Sequence, residues 1–209
     1  MTGTRRTGLD ALAASVRHLP NALTIARIVL VVPAGWLLWV EAIPEALIII
    51  AIAGASDFVD GELARRFDWR TNFGAIADPA ADKLLVLVVI VVLALQGHVP
   101  AWLPVVVIGR DLVIVFGALA YRLLLGKYEV DPTPLSKANT ALLIVVLLVV
   151  IVGLMGADYP LAATVAELID PQGFVLVGVS SVASGGQYVL LWGRRAFVEL
   201  RARDRGASS

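Results

Sequence analysis

Six apolar stretches follow one another along the chain: Leu23–Val40, Ile43–Arg65, Pro79–Gln96, Ala101–Leu125, Ala138–Ala157 and Gly173–Gly193, some with polar ends. Crossing a hydrocarbon core of ~30 Å takes about 20 apolar helical residues, so the pattern predicts six transmembrane helices. Turn-forming sequences separate them, such as "GHVP" at Gly97–Pro100 and "VDPTP" at Val130–Pro134. Ahead of the first, "GLDALAASVRHL" before Pro20 reads as a short amphipathic helix lying along the membrane surface. No internal repeat or composition break divides the chain. The expectation is one all-α integral membrane domain over residues 1–209, with a juxtamembrane segment at 1–20 and a cytoplasmic tail at 194–209.

Composition agrees with that pattern. Hydrophobic residues make up 59% of the 209 positions, against roughly 45–50% in an ordinary soluble domain, and the mean hydropathy is +0.86. The formal net charge of zero conceals an uneven distribution. With the N-terminus in the cytoplasm, the outer loops are Glu41–Glu45, Gln96–Pro100 and Gly156–Gln172, and none holds a Lys or Arg. All 17 basic residues then lie on the inner side or within helices, as the positive-inside bias requires. Trp36, Trp39 and Trp102 would form an outer aromatic belt, with Trp69 and Trp192 at the inner interface. With no cysteine, disulfides, thiolate metal sites and thiolate nucleophiles are excluded, and with two histidines far apart in sequence a His-rich metal site is not expected. Arg5 and Arg6 are not followed by an apolar run and cleavage site, so no signal peptide is expected. Nothing in the charge balance suggests a nucleic-acid partner.

The acids fall where a membrane helix least tolerates them. Asp57, Asp60, Gly61 and Ala64 recur at i, i+3, i+4 and i+7 and share one helical face. Two carboxylates with two minimal side chains make an acidic notch open to close approach. Pro79 suits the first turn of the third helix, where Asp78 and Asp82 share a face at i and i+4. Four converging carboxylates would raise one another's pKa values, and two arrangements relieve this. One is an ion network with Arg65, Arg66, Arg70 and Lys83. The other is hard divalent cations, since oxygen-only ligands suit Mg²⁺, Mn²⁺ or Ca²⁺ rather than Zn²⁺. Ions held this way commonly clamp a phosphate or pyrophosphate for in-line displacement. An ion-coupled transporter would also carry intramembrane acids. Against it, these cluster at one membrane face and no inverted repeat accompanies them.

The full run is Asp57-x-x-Asp60-Gly61-x-x-Ala64-Arg65, eight residues, then Gly74-x-x-x-Asp78-x-x-x-Asp82. It resembles the signature of the CDP-alcohol phosphotransferases, and "PNALTIAR" at Pro20–Arg27 resembles the opening of the phosphatidyltransferase members. The resemblance implies Asp57, Asp60, Asp78 and Asp82 as ligands of two divalent ions, Mg²⁺ or Mn²⁺, with Asp82 also the general base. Gly61 and Ala64 would admit the cytidine nucleotide of CDP-diacylglycerol and Arg65 would meet its phosphates. Asn21, Thr24, Asp60, Thr71 and Gly74 are further nucleotide-side residues. A homodimer is implied as well, and the charge asymmetry described above sets both termini and the active site on the cytoplasmic side of what is expected to be a bacterial inner membrane.

Arg110 and Asp111 lie deep in the fourth apolar stretch, "VVVIGRDLVIVFG". They read either as a pair that tunes helix packing or as a polar cavity receiving an acceptor phosphate on Arg110, with Arg122 and Lys137 extending the basic patch. "VPAWLPVVVIGRDLVIV" and "PLSKANTALL" resemble the CMP-forming cardiolipin synthases of mitochondrial and bacterial type. The similar glycerol-3-phosphate phosphatidyltransferases more often have Glu in place of Asp111 and Gly-Lys in place of Ser136-Lys137. Phosphatidylglycerol is therefore the expected acceptor, giving cardiolipin and CMP, with glycerol 3-phosphate the alternative and inositol phosphate a more distant one.

Overall fold

A computed structural model describes residues 19–67, 74–125, 133–156 and 159–206, with side chains at 24–56, 83–123, 133–156 and most of 159–195. The N-terminal segment expected to be amphipathic, apart from its final Leu19, lies outside the described residues. The chain divides into two compact units, Met1–Gln96 and Gly97–Ser209. Every described element is helical except for short turns.

The first unit holds α1 (Leu19–Trp39), α2 (Ile43–Phe67) and α3 (Gly74–Leu95). On α1, Thr24, Arg27, Val31, Ala34 and Leu38 are buried, a stripe at helical spacing that faces α2 and α3. Ile25, Val29, Val32 and Trp36 on the other side are exposed, as suits contact with lipid. Small residues bring the helices close: Ala34, Ala46 and Ala53 are fully buried. A Cβ added at Gly35 would lie 2.7 Å from Val88 on α3. This is the small-residue packing expected where no hydrophobic effect drives helices together.

The turn from α1 to α2 closes tightly. Ala42 N–H donates to Leu37 C=O at 2.9 Å and Glu41 N–H to Leu38 C=O at 3.1 Å, a Schellman arrangement. Glu41 takes the left-handed position, φ 59°, that usually falls to glycine. Gln96, just past α3, donates through Nε2 to Leu38 C=O at 3.0 Å and Trp39 C=O at 3.2 Å. It thereby gives the Leu38 carbonyl a second donor and the Trp39 carbonyl a side-chain partner at the α1 C-terminus.

The second unit holds α4 (Trp102–Leu125), α5 (Pro134–Gly153), α6 (Pro160–Ile169) and α7 (Gln172–Gly206). Thr133 caps α5, its side chain accepting from Ser136 N–H at 3.2 Å with Pro134 in the first turn. Helices α4 and α7 run parallel, which their contacts reveal. Trp102 meets Gly178, Arg110 meets Gly185, and Gly117 meets Trp192, advancing together along both helices. Helix α5 runs antiparallel to α7, pairing Thr133 with Tyr188 and Asn139 with Ser180 and Ser181.

A Cβ at Gly117 would fall 1.9 Å from the Trp192 ring. Gly117→Ala should therefore destabilise by about 1–3 kcal/mol through overpacking. Gly54→Ala, with nothing within 4 Å of the added methyl, should be neutral or gain up to ~1 kcal/mol from helix propensity. Thermal unfolding of the two variants in one detergent checks the contrast.

Among the described residues three helices are long and apolar enough to cross a membrane by length and composition: Trp102–Leu123, Pro134–Gly153 and Gln172–Arg195. Shorter apolar helical runs at Thr24–Trp39, Ile43–Ser56 and Lys83–Leu95 accompany them. The protein is an all-α, multi-pass membrane protein.

Several boundaries differ from the sequence expectation. α3 starts at Gly74, so Pro79 lies inside the helix rather than in its first turn. A proline there forgoes one backbone donor without stopping the helix. The expected outer loop Gly156–Gln172 contains α6, rich in Ala and Leu but too short to span and so invisible to a search for spanning lengths. α7 continues past Gly193 to Gly206 because "RRAFVELRARDR" is built of strong helix formers. Hydropathy marks where the apolar run ends, not where the helix ends. Trp192 is buried at 6% exposure against Gly117 and Tyr188, rather than standing in an inner aromatic belt. Trp69 lies outside the described residues.

Candidate active site

The acidic signature falls on two helices of one unit. α2 runs unbroken through Asp57, Asp60, Gly61, Ala64 and Arg65, and α3 runs from Gly74 through Asp78 and Asp82. The backbone therefore keeps Asp57, Asp60, Gly61 and Ala64 on one face of α2, and Asp78 and Asp82 on one face of α3. The side chains of these residues and of Asn21 lie outside the described residues, as does Thr71 entirely. Of the ion-network partners, the side chains of Arg65 and Arg66 lie outside them too, as does Arg70 entirely. Lys83 is exposed.

Thr24, a nucleotide-side candidate, is fully buried, and Arg27 one turn further is 1% exposed. Both sit on the stripe of α1 that faces the two acidic helices. The Gly35–Val88 contact sets α1 and α3 side by side. Two turns back along both, Arg27 stands level with the part of α3 that carries Asp78 and Asp82. Sequence reasoning did not single out Arg27. Its signal was a lone cation inside "LTIARIVLVV", which an apolar helix does not carry without a partner or a function.

In the second unit, Arg110 is 8% exposed within α4. Its Nη1 donates to Asp111 Oδ1 at 2.5 Å, although consecutive residues on a helix do not face one another. The long Arg side chain makes the reach. Nη2 donates to Ser136 Oγ on α5 and to Ser184 Oγ on α7 at 3.0 Å, and Nε points to the same Ser184 Oγ at 3.4 Å. One turn away, Asn139 Oδ1 accepts from Ser180 Oγ at 2.5 Å and Ser181 Oγ at 3.0 Å. Tyr188 Oη accepts from Thr133 N–H at 3.0 Å.

Three helices thus converge on one guanidinium. Lys137 and Arg122, expected to extend its basic patch, are both exposed and neither joins this network. Lys137 follows Ser136 on the helix and so points to another side; Arg122 is three turns further along α4. Ser136, which does join, entered the sequence reading only as part of the Ser136-Lys137 pair; Ser184, which also joins, was missed, as were Asn139, Ser180 and Ser181 one turn away. The trace of Ser180, Ser181 and Ser184 in the sequence is the small polar run "SSVASGG" inside an apolar helix.

The family model for CDP-alcohol phosphatidyltransferase matches residues 17–179. A cardiolipin synthase (CMP-forming)/mitochondrial hydrolase fusion protein of Schizosaccharomyces pombe is 31% identical over 187 residues, 82% of this chain and 30% of that protein. A CDP-diacylglycerol–glycerol-3-phosphate 3-phosphatidyltransferase of Bacillus subtilis is 38% identical over 124 residues, 52% of this chain and 62% of that protein. A cardiolipin synthase (CMP-forming) of Streptomyces coelicolor is 37% identical over 117 residues, 50% of this chain and 52% of that protein. The chain therefore spans less than two thirds of the length of these relatives, and their names divide between two activities. The family match takes in α1 through α6, the start of α7 and the whole acidic signature, and the chain belongs to the CDP-alcohol phosphatidyltransferase family.

Proposed function

We propose that the protein transfers a phosphatidyl group from CDP-diacylglycerol to an alcohol with release of CMP, and that phosphatidylglycerol is the acceptor. The observation that carries the reading is the eight-position signature from Asp57 to Asp82, set on two continuous helices of one unit. Residues 1–209 act as one domain of six spans behind an amphipathic N-terminal segment. Both termini and the acidic helix ends face the cytoplasm, and the protein works as a homodimer.

The donor set fits a hard divalent ion, because every candidate ligand is a carboxylate and neither Cys nor His accompanies it. Asp57, Asp60, Asp78 and Asp82 would hold Mg²⁺ or Mn²⁺, which when bound supplies positive charge against the diphosphate. Gly61 and Ala64 leave room for the nucleotide, and Arg65 meets its phosphates. Asn21, Thr24, Thr71 and Gly74 complete the nucleotide side.

Asp82 accepts the proton of the acceptor's primary hydroxyl as that oxygen attacks the phosphatidyl phosphorus. The phosphorus–oxygen bond to CMP breaks in the same displacement and CMP leaves with the electron pair. No covalent enzyme intermediate is needed.

For the acceptor, Arg110 is the cation that would meet its phosphate. What favours phosphatidylglycerol is that Asp111 already offsets the Arg110 charge, which suits one phosphodiester charge better than the nearly double charge of glycerol 3-phosphate. Purified protein with CDP-diacylglycerol, Mg²⁺ or Mn²⁺ and each acceptor in turn tests this, with lipid products resolved. Phosphatidylglycerol should yield cardiolipin and CMP, and Arg110→Ala should raise its KM or abolish turnover. Rapid turnover with glycerol 3-phosphate and none with phosphatidylglycerol would reject the cardiolipin assignment.

A further inference from the structure

The structure assigns Ser136 and Asp111 as positioning residues that set the acceptor preference through Arg110, with Ser184 as its anchor. This rests on reading Arg110 as the contact for the acceptor phosphate. A guanidinium has five N–H donors in a rigid fork. Nε–H and one Nη2–H go to Ser184, the other Nη2–H goes to Ser136, and one Nη1–H goes to Asp111. A single Nη1–H is left.

That inventory limits what Arg110 can hold. Two-pronged capture of a phosphate needs two parallel N–H groups on one edge. The Nε/Nη2 edge is closed by Ser184, which is fully buried on α7. On the remaining edge Ser136 takes the Nη2–H, and Asp111 takes one of the two Nη1–H groups. An incoming phosphate meets one free N–H beside a carboxylate that repels it. A monoanionic phosphodiester loses little by one-pronged contact. A dianionic phosphomonoester forgoes the bidentate pairing it would gain most from and meets more repulsion from Asp111.

Positions 111 and 136 lie far apart in sequence, and folding brings both onto one guanidinium. Loss of the Ser136 hydroxyl would free an Nη2–H to work with the remaining Nη1–H, and Glu at 111 would displace the carboxylate by one methylene. The first change opens the second prong, and the second alters the repulsion that an incoming phosphate meets.

The experiment measures kcat and KM for phosphatidylglycerol and glycerol 3-phosphate separately, together with KM for CDP-diacylglycerol. Wild type, Ser136→Ala, Ser136→Thr, Asp111→Glu and the Ser136→Gly/Asp111→Glu double variant are compared. The glycerol 3-phosphate to phosphatidylglycerol ratio of kcat/KM should rise about tenfold in Ser136→Ala and further in the double variant, since a hydrogen bond to a charged group is worth about one such factor or more. Ser136→Thr, which keeps the hydroxyl, should hold the wild-type ratio, and the donor KM should stay put throughout. Ser136→Ala keeps a helix former in the first turn of α5, so the test does not depend on the glycine variant folding. An unchanged ratio in active Ser136→Ala and Asp111→Glu overturns the inference, as does an equal loss with both acceptors. A wild-type protein that releases CMP with neither acceptor overturns instead the functional reading on which the inference rests.

Discussion

Asp82→Asn should lower the rate of CMP release by about 10²–10⁴, the loss typical when a general base is removed, while the variant still binds CDP-diacylglycerol. Asparagine matches aspartate in size but cannot take the hydroxyl proton. The acceptor oxygen would then have to attack as a neutral alcohol. The remaining signature carboxylates stay in place, and with them most of the affinity for the nucleotide. Single-turnover CMP release and direct binding of labelled CDP-diacylglycerol separate the two effects. Near-normal turnover would remove Asp82 from the role of base. Parallel loss of binding and turnover would make it chiefly a ligand.

Exhaustive treatment with EDTA should abolish CMP release, and Mg²⁺ or Mn²⁺ should restore it. The reason is electrostatic: four carboxylates meeting a diphosphate without cations would repel it. In Asp57→Asn and Asp60→Asn, metal affinity and turnover should fall together. Even outer partners of metal ligands cost 10–100-fold when lost, so removal of a direct ligand should weaken binding by about tenfold or more. Mn²⁺ binding followed by electron paramagnetic resonance reads the affinity independently of activity. Full activity after complete chelation would leave the ion-network reading of the four aspartates standing in place of the metal clamp.

The donor half of the proposal was legible in the sequence because its information is local. Helical spacing alone assigns Asp57, Asp60, Gly61 and Ala64 to one face, and Asp78 and Asp82 to another. α2 and α3 are continuous over those positions. Arg27 was less legible. A cation in an apolar run announces that it has a purpose, but only the Gly35–Val88 contact reveals which part of α3 it stands beside.

The acceptor half was legible only as a question. Sequence placed Arg110 and Asp111 inside a helix and offered Lys137 and Arg122 as neighbours, on the assumption that cations serving one phosphate lie near one membrane face. Packing chose otherwise. Ser136 and Ser184 sit 26 and 74 residues from Arg110 in the chain, and no local pattern links hydroxyls so distant.

From the sequence alone came the membrane-embedded helical class, the order of the helices other than α6 and the acidic signature, because hydropathy and helical period are properties of neighbouring residues. The tertiary structure decided that α4 and α7 lie parallel on glycine–tryptophan contacts and that three helices meet on one guanidinium. It also decided which of that guanidinium's donors stay free. Those outcomes depend on which buried polar groups find partners across helices, and a buried guanidinium takes the nearest hydroxyls and carboxylate that packing brings to it.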